Sequence, residues 1–370
     1  MQQTKNAICF FNSIKFWGGG EKLHLENAVH FRKRNYKVII ASRKGSPLSK
    51  KAVDEGFFTY PVSVSNLSFL NPVKIIRCLL FYKKYGIDTV IFSASQDLKL
   101  GSISAKLAGV KNIVYLRGLA SPVKADLLNI LIFKSFLTHI ILNSQDTKRN
   151  TLRHLGRYIN EKKVHVIYHG IEVTVSDAKR PEKLPVIREK GRGIILGNAG
   201  RLTAQKGQEY LIQIASILKK RGITFTLFIA GTGELQSKLE SLRDQHGLEQ
   251  EVIFTGFIED MPGFMNSIDI FLFTSLWEGF GFALVEAMIA GKPVVAFNTT
   301  SNPEIVASDT TGFLVDFQDP GMFAEKIITL IKDPLLRKTM GEAAAKSVRE
   351  RFEINGRITE LEQCLFSKKQ

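Results

Sequence analysis

Short apolar runs alternate with longer stretches of helical spacing along most of the chain. In the first half the strand-like runs are "AICFFN", "KVIIAS", "FTYPVS", "TVIFSA", "NIVYL", "HIILNS" and "VHVIY". Between them, residues 21–34, 71–85, 97–108, 123–137 and 145–155 carry helical patterns. Near-continuous apolar strands alternating with helices predict a parallel sheet covered on both faces. The polar, Pro-containing stretch 176–193, "SDAKRPEKLPVIREKGRG", interrupts this rhythm and reads as a linker. The alternation then restarts with "IILGNAGR", "FTLFIAG", "EVIFTGF", "DIFLFTS", "PVVAF" and "GFLVDF". A helix predicted over 209–221 places Leu211, Ile214, Ala215 and Leu218 on one face. Helices at 320–332 and 334–352, and a further run to 366, close the chain. The expected fold is α/β, with two doubly wound Rossmann-like domains. Residues 1–185 form the first, 186–352 the second, and the terminal segment 353–370 joins the first.

Composition narrows the class. The 370 residues are 44% hydrophobic and 23% charged, a soluble globular balance. Cys9, Cys78 and Cys364 share no metal-site spacing, which argues against a disulfide framework or zinc site. No secretory signal is visible, and the most apolar window, "LLNILIFKSFLTHIIL", is too short and polar to span a bilayer. Charge is strongly one-sided. Residues 1–190 hold 32 Lys+Arg against 13 Asp+Glu, and the other 180 hold 19 against 22. An excess of this kind concerns partners: nucleic acid, an anionic membrane or an anionic acceptor.

Ligands in open α/β sheets bind beyond the carboxyl ends of strands, where helix starts present free N–H groups. Four loops suit that position. "FWGGGEK" (16–22) opens a helix with three glycines, among them Gly19 and Gly20, but fits neither a P-loop nor a GxGxxG fingerprint. "NAGRLTAQKGQEYL" (198–211) carries Arg201 and Lys206, a fork and a point charge able to converge on a diphosphate or to stand solvated. "AGTGELQ" (230–236) fits a phosphate turn or a tight turn into a helix. "EGFGFALVE" runs from Glu278 through Phe280, Gly281, Phe282 and Ala283 to Glu286. Its helix start suits an anion or sugar oxygens, while either acid alone fits a cap or a dipole role. No Asp-x-Asp, HExxH or GxSxG occurs.

In this order the motifs resemble the family-4 glycosyltransferases, the glycosyl transferases group 1 of GT-B architecture, over nearly the whole chain. The signature is the E-x7-E element Glu278–Glu286. "GRLTAQKG", "GFIEDMPGFMNSIDIFLFTS", "EAMIAGKPVVA", "LNSQDTK" and "VIYHGIE" support it. The resemblance implies two domains facing across a cleft and retaining, metal-independent transfer with no cofactor. The donor would be a nucleoside-diphosphate sugar and the acceptor a glycan or lipid-linked glycan, as in surface polysaccharide or lipopolysaccharide synthesis. It implies that Arg201 and Lys206 hold the diphosphate, Glu286 accepts the ribose hydroxyls, and Glu278 lies near the sugar hydroxyls. Backbone groups of Phe280, Gly281, Phe282 and Ala283 would line sugar and phosphates. Ile258 would meet the base, and Gly19 and Gly20 would close over the diphosphate.

Many members carry a histidine where "YLRGLAS" stands here, with Arg117 in its place. An acidic donor sugar, an anionic acceptor or a structural ion pair would each account for the arginine. The alternatives to a glycosyltransferase are a nucleotide-sugar epimerase of similar form, which lacks its expected histidine cluster, and a nucleic-acid-binding protein, which lacks a binding module. Basic amphipathic patterns at 71–85 and 123–137 predict docking on the cytoplasmic face of an anionic membrane, with Lys74, Arg77, Lys83, Lys84, Lys124 and Lys134 as the charges.

Overall fold

The computed structural model describes residues 5–172 and 193–367. Contacts divide the chain into two compact units, Met1–Gly170 with Ile354–Gln370, and Ile171–Glu353. The linker expected at 176–193 lies, apart from Gly193, outside the described residues, as does the boundary at 185/186.

The first unit is built on a parallel seven-stranded sheet. Its strands are β1 (Lys5–Asn12), β2 (Tyr36–Ser42), β3 (Phe58–Pro61), β4 (Ile87–Phe92), β5 (Asn112–Arg117), β6 (His139–Leu142) and β7 (Val164–Val166). Their order is β3-β2-β1-β4-β5-β6-β7. Each apolar run predicted as a strand contains one, because a strand covered on both faces needs apolar residues at every position. The terminal helix Ile354–Phe366 belongs to this unit. Its Glu362 bridges Arg34 Nη1 at 2.6 Å and accepts from the Tyr36 hydroxyl at 2.7 Å, while Phe366 stacks on Tyr36.

One predicted helix differs. Over 123–137 the helix starts only at Leu127 and runs into a wider π-type turn at Ile132–Phe136. Asp126 sets the start, accepting from Asn129 N at 2.8 Å, and Asn129 Nδ2 ties back to the Lys124 carbonyl at 2.9 Å. Lys124 therefore stands before the helix, not on it.

His24 is fully buried in this unit, edge-on to Phe10 with ring centroids 5.1 Å apart. Burial lowers its pKa from 6.5 to about 3. An unfolded chain protonates this ring below pH 6.5 and the folded one does not, so its contribution to stability falls as pH drops from 6.5 toward 3. His24→Leu is expected to flatten that decline, read as melting temperature at pH 7 and pH 4.5. Equal pH slopes for the two proteins would contradict a neutral buried ring.

The second unit has six parallel strands: β8 (Ile194–Ala199), β9 (Phe225–Ala230), β10 (Val252–Gly256), β11 (Ile270–Phe273), β12 (Val294–Phe297) and β13 (Gly312–Val315). Their order is β10-β9-β8-β11-β12-β13. The helix Gln208–Lys220 buries Leu211, Ile214, Ala215 and Leu218, the face its spacing predicts. Strand order reverses between β8 and β11, and a doubly wound sheet opens its ligand crevice at such a reversal.

Candidate functional site

The strand reversal of the second unit is flanked by the loops that leave β8 and β11. The β8 loop carries Arg201 and Lys206, and the β11 loop carries Glu278. Lys206 Nζ donates to Glu278 Oε1, an ion pair between side chains only 22% and 9% exposed. Charge-assisted hydrogen bonds are strongest where water is scarce. Gln205 Nε2 donates to the Trp277 carbonyl at 2.8 Å, and Leu276 N donates to the Gln205 carbonyl at 2.8 Å. The two loops are thus laced together by backbone as well as by charge.

Arg201 is exposed and its guanidinium has no hydrogen bond among the described residues, while its carbonyl accepts from Gln208 Nε2 at 3.1 Å. The "AGTGELQ" loop is what shapes this segment. Added Cβ atoms on Gly231 and Gly233 would lie 2.0 and 2.3 Å from the carbonyl oxygens of Gly200 and Leu202. Leu202 N donates to Thr232 O at 3.0 Å and Leu235 N to Leu202 O at 3.1 Å. The loop turns into the helix Gln236–Gln245 and supports the Arg201 loop.

The helix Phe282–Ile289 begins directly after the glycines. Gly281 caps it at φ +88°, in the left-handed region, so the chain turns there without a Cβ penalty. Leu284 and Val285 donate back to the Gly281 carbonyl. Phe282 and Ala283 are the first two residues of the helix, whose N–H groups lie ahead of the intrahelical ladder. Phe280 is buried, edge-on to Phe282 and Phe352 at 5.6 and 5.4 Å, and anchors the turn to the core. Glu286, half-buried, follows Phe282 by four residues and shares its helix face. Ile258 is half-buried on the loop after β10, ahead of the helix Met261–Ser267 that Asp260 caps. Among the described residues no group of three His, Cys, Asp or Glu side chains is placed to hold a metal ion.

The remaining predicted residues lie in the first unit. Gly19 and Gly20 are the exposed first residues of the helix Gly19–Lys33, and a Cβ on Gly20 would meet nothing within 4 Å. Arg117 requires a correction. It is 3% exposed and takes part in no ion pair among the described residues. Nε donates to Thr151 Oγ1, Nη1 to Ser95 Oγ and the Tyr115 hydroxyl, and Nη2 to the carbonyl and hydroxyl of Ser121. All five of its N–H donors are engaged. Arg117 organises the 118–121 loop and offers no free fork to a sugar or acceptor anion.

Sequence reasoning also missed Asp97, buried where β1 meets β4, the strand reversal of this unit. It accepts from Ser13 N at 2.8 Å and from the Ser13 hydroxyl, and burial pushes it up to about 6 against those hydrogen bonds. The partners are 84 residues apart, beyond the reach of any local pattern.

Comparison with known proteins accords with this geometry. Residues 17–175 match Glycosyltransferase Family 4, and residues 179–347 match Glycosyl transferases group 1. The chain belongs to glycosyltransferase family 4. A relative, the UDP-Gal:alpha-D-GlcNAc-diphosphoundecaprenol alpha-1,3-galactosyltransferase of Escherichia coli, is 24% identical over 352 residues, covering 90% of each chain. The capsular polysaccharide biosynthesis glycosyltransferase CapM of Staphylococcus aureus is 27% identical and covers 87% of each. Among solved structures, Anabaena Alr3699/HepE in complex with UDP and glucose superposes with a TM-score of 0.82 at 21% identity, covering 98% of this chain and 99% of that one. This family-4 glycosyltransferase therefore has the fold of two Rossmann-like domains expected from its sequence. The epimerase alternative finds no support in these matches.

Proposed function

We propose that this enzyme is a retaining, metal-independent glycosyltransferase that moves a sugar from a nucleoside-diphosphate sugar to a lipid-linked or other glycan acceptor. A UDP-sugar is the donor class favoured by a relative named for UDP-Gal and a fold neighbour bound to UDP. Surface polysaccharide synthesis is the setting favoured by the diphosphoundecaprenol and capsular relatives. The observation that carries the reading is the Lys206–Glu278 pair at the strand reversal, beside a helix start with Glu286 one turn in.

In the transfer an acceptor hydroxyl oxygen bonds to the anomeric carbon, the bond from that carbon to the diphosphate breaks, and the hydroxyl proton is released. The bond's electrons leave with the diphosphate. Fixed positive charge and helix N–H groups lower the cost of that developing charge most where little water competes. Lys206 and Arg201 supply the charge, and Phe282 and Ala283 supply the N–H groups. Glu278 faces the sugar and Glu286 the ribose, with Ile258 at the base.

Glu286→Gln tests the assignment. A hydrogen bond to a charged group is worth about 1.5–3 kcal/mol, so affinity for the nucleoside diphosphate should fall roughly 10- to 150-fold by calorimetry. Unchanged affinity would remove the ribose from Glu286.

We further propose that the enzyme works on the cytoplasmic face of an anionic membrane, docked through the helix Pro72–Tyr85. Among the described residues no helix is long and apolar enough to cross a membrane. That helix buries Cys78, Phe81 and Tyr82 but leaves Val73, Ile76 and Leu80 more than half exposed beside Arg77, Lys83 and Lys84.

A further inference from the structure

Four non-glycine residues have positive φ among the described residues: Asn35, Thr300, Asp309 and Gln318. Thr300, at +46°, is the β-branched one. Asparagine and aspartate enter the left-handed region readily, whereas a β-branched side chain there is strained. Such strain persists only where the surroundings hold it, and it gathers at functional sites.

The surroundings of Thr300 are well fastened. It lies between β12 and the short helix Asn302–Ile305. Ser301 and Asn302, which follow it, are completely buried. Asn302 Nδ2 donates to the Phe297 carbonyl at 2.9 Å, Asn302 N to Thr299 O at 3.1 Å, and Glu304 N to Ser301 O at 3.0 Å. Within this turn the Thr300 hydroxyl oxygen accepts a hydrogen bond from the backbone N–H of Glu278 at 3.2 Å. The carboxylate of the same Glu278 accepts from Lys206. Loops after three adjacent strands, β8, β11 and β12, thus form one chain of contacts: Lys206, Glu278, Thr300.

We propose that Thr300 is a positioning residue for the transfer. Its left-handed turn brings the hydroxyl oxygen to the Glu278 amide, which fixes the 276–279 loop and aims the Glu278 carboxylate. The strain at Thr300 is kept because a relaxed turn would release that aim. The inference rests on the reading of Glu278 as the donor-sugar contact, and it adds a residue that acts through Glu278.

Three variants separate hydroxyl, shape and strain. Thr300→Ser keeps the acceptor oxygen, Thr300→Val keeps the branched shape without it, and Thr300→Gly removes both strain and oxygen. For each, kcat and KM with a UDP-sugar, Kd for UDP alone and melting temperature are measured. Thr300→Val and Thr300→Gly should lose about tenfold in kcat, the size of one hydrogen bond. Their Kd for UDP should stay within about twofold of wild type, and Thr300→Ser should work almost as wild type does. Thr300→Gly should melt no lower than wild type, because its backbone is relieved. A purely structural residue would instead lower melting temperature, kcat and UDP affinity together, and that pattern overturns the proposal. So does wild-type kcat in Thr300→Val, which tests the oxygen even where Thr300→Gly folds poorly. Wild-type protein that binds neither UDP nor a UDP-sugar would overturn the reading of the whole site, and this inference with it; normal wild-type transfer with unaffected variants overturns this inference alone.

Discussion

Lys206→Ala should lower turnover with a nucleoside-diphosphate sugar by about 10²–10³, the usual cost of removing one group that stabilises transition-state charge. Arg201→Ala is expected in the same range. The two residues reach that effect from different resting states. Arg201 is exposed and unengaged, so its loss should leave folding untouched. Lys206 is committed to Glu278, whose side chain is 9% exposed, so Lys206→Ala also strands a carboxylate in a poorly hydrated place. A drop in melting temperature is therefore expected for Lys206→Ala, and Lys206→Ala combined with Glu278→Gln should recover part of it without recovering turnover. Lys206 must also divide its charge between Glu278 and an incoming diphosphate. Glu278→Gln frees it, so that variant should bind the nucleoside diphosphate at least as tightly as wild type does. The measurements are steady-state kinetics, calorimetry and thermal unfolding, with EDTA included throughout. Wild-type activity should survive EDTA. A strict requirement for Mn²⁺ or Mg²⁺ would refute the proposal that side-chain cations and helix N–H groups carry the leaving group's charge unaided.

The parts of this site that were legible in the sequence are those written in short-range pattern. Alternating apolar runs specify strands, and strand–helix alternation specifies a parallel sheet, because each signal is complete within a few residues. Gly281 and the helix after it announce themselves in the same way, as does the apolar face of Gln208–Lys220. What stayed hidden depends on pairs far apart in sequence. Lys206 and Glu278 are separated by 72 residues, Glu278 and Thr300 by 22, Ser13 and Asp97 by 84. No period marks such pairs. They exist only once neighbouring strands deliver their carboxyl ends to one edge of a sheet. Arg117 shows the same limit from the other side. Its charge suggested an anion, and nothing near it in sequence reveals that Ser95 and Thr151 hold two of its donors. At 123–137 local chemistry was legible but outweighed by apolar spacing: Asp126 is a capping residue, and it delays the helix.

Reversing the charges on the helix Pro72–Tyr85 should detach the enzyme from acidic membranes. The proposed surface has two components. Val73, Ile76 and Leu80 are spaced three and four apart, so they share one face, and they are 56%, 53% and 57% exposed. Leu67 and Leu70, just before the helix, are 68% and 66% exposed. A helix whose apolar residues served the core alone would not leave this stripe in water, because Cys78, Phe81 and Tyr82 already fill that role. Exposed Arg77, Lys83 and Lys84 supply the charge, whereas Lys74 is occupied at 3.0 Å from both the Ser63 carbonyl and the Ser68 hydroxyl. Each cation near an anionic leaflet contributes about 1 kcal/mol, so neutralising these three should weaken partitioning roughly 100-fold. Arg77→Glu, Lys83→Glu and Lys84→Glu together should abolish it. Replacing Val73, Ile76 and Leu80 by Ser should weaken binding with little change in melting temperature, since none of the three is buried. Liposome sedimentation with and without acidic lipid is the measurement, and wild-type binding should fall steeply as salt rises. Transfer to a soluble acceptor should be unaffected in every variant, because the helix lies outside the proposed donor site. Equal wild-type binding to neutral and acidic liposomes, or no binding to either, would remove the membrane. Concentration-dependent dimerisation lost on Val73, Ile76 and Leu80 substitution would assign the stripe to a second copy of the chain instead.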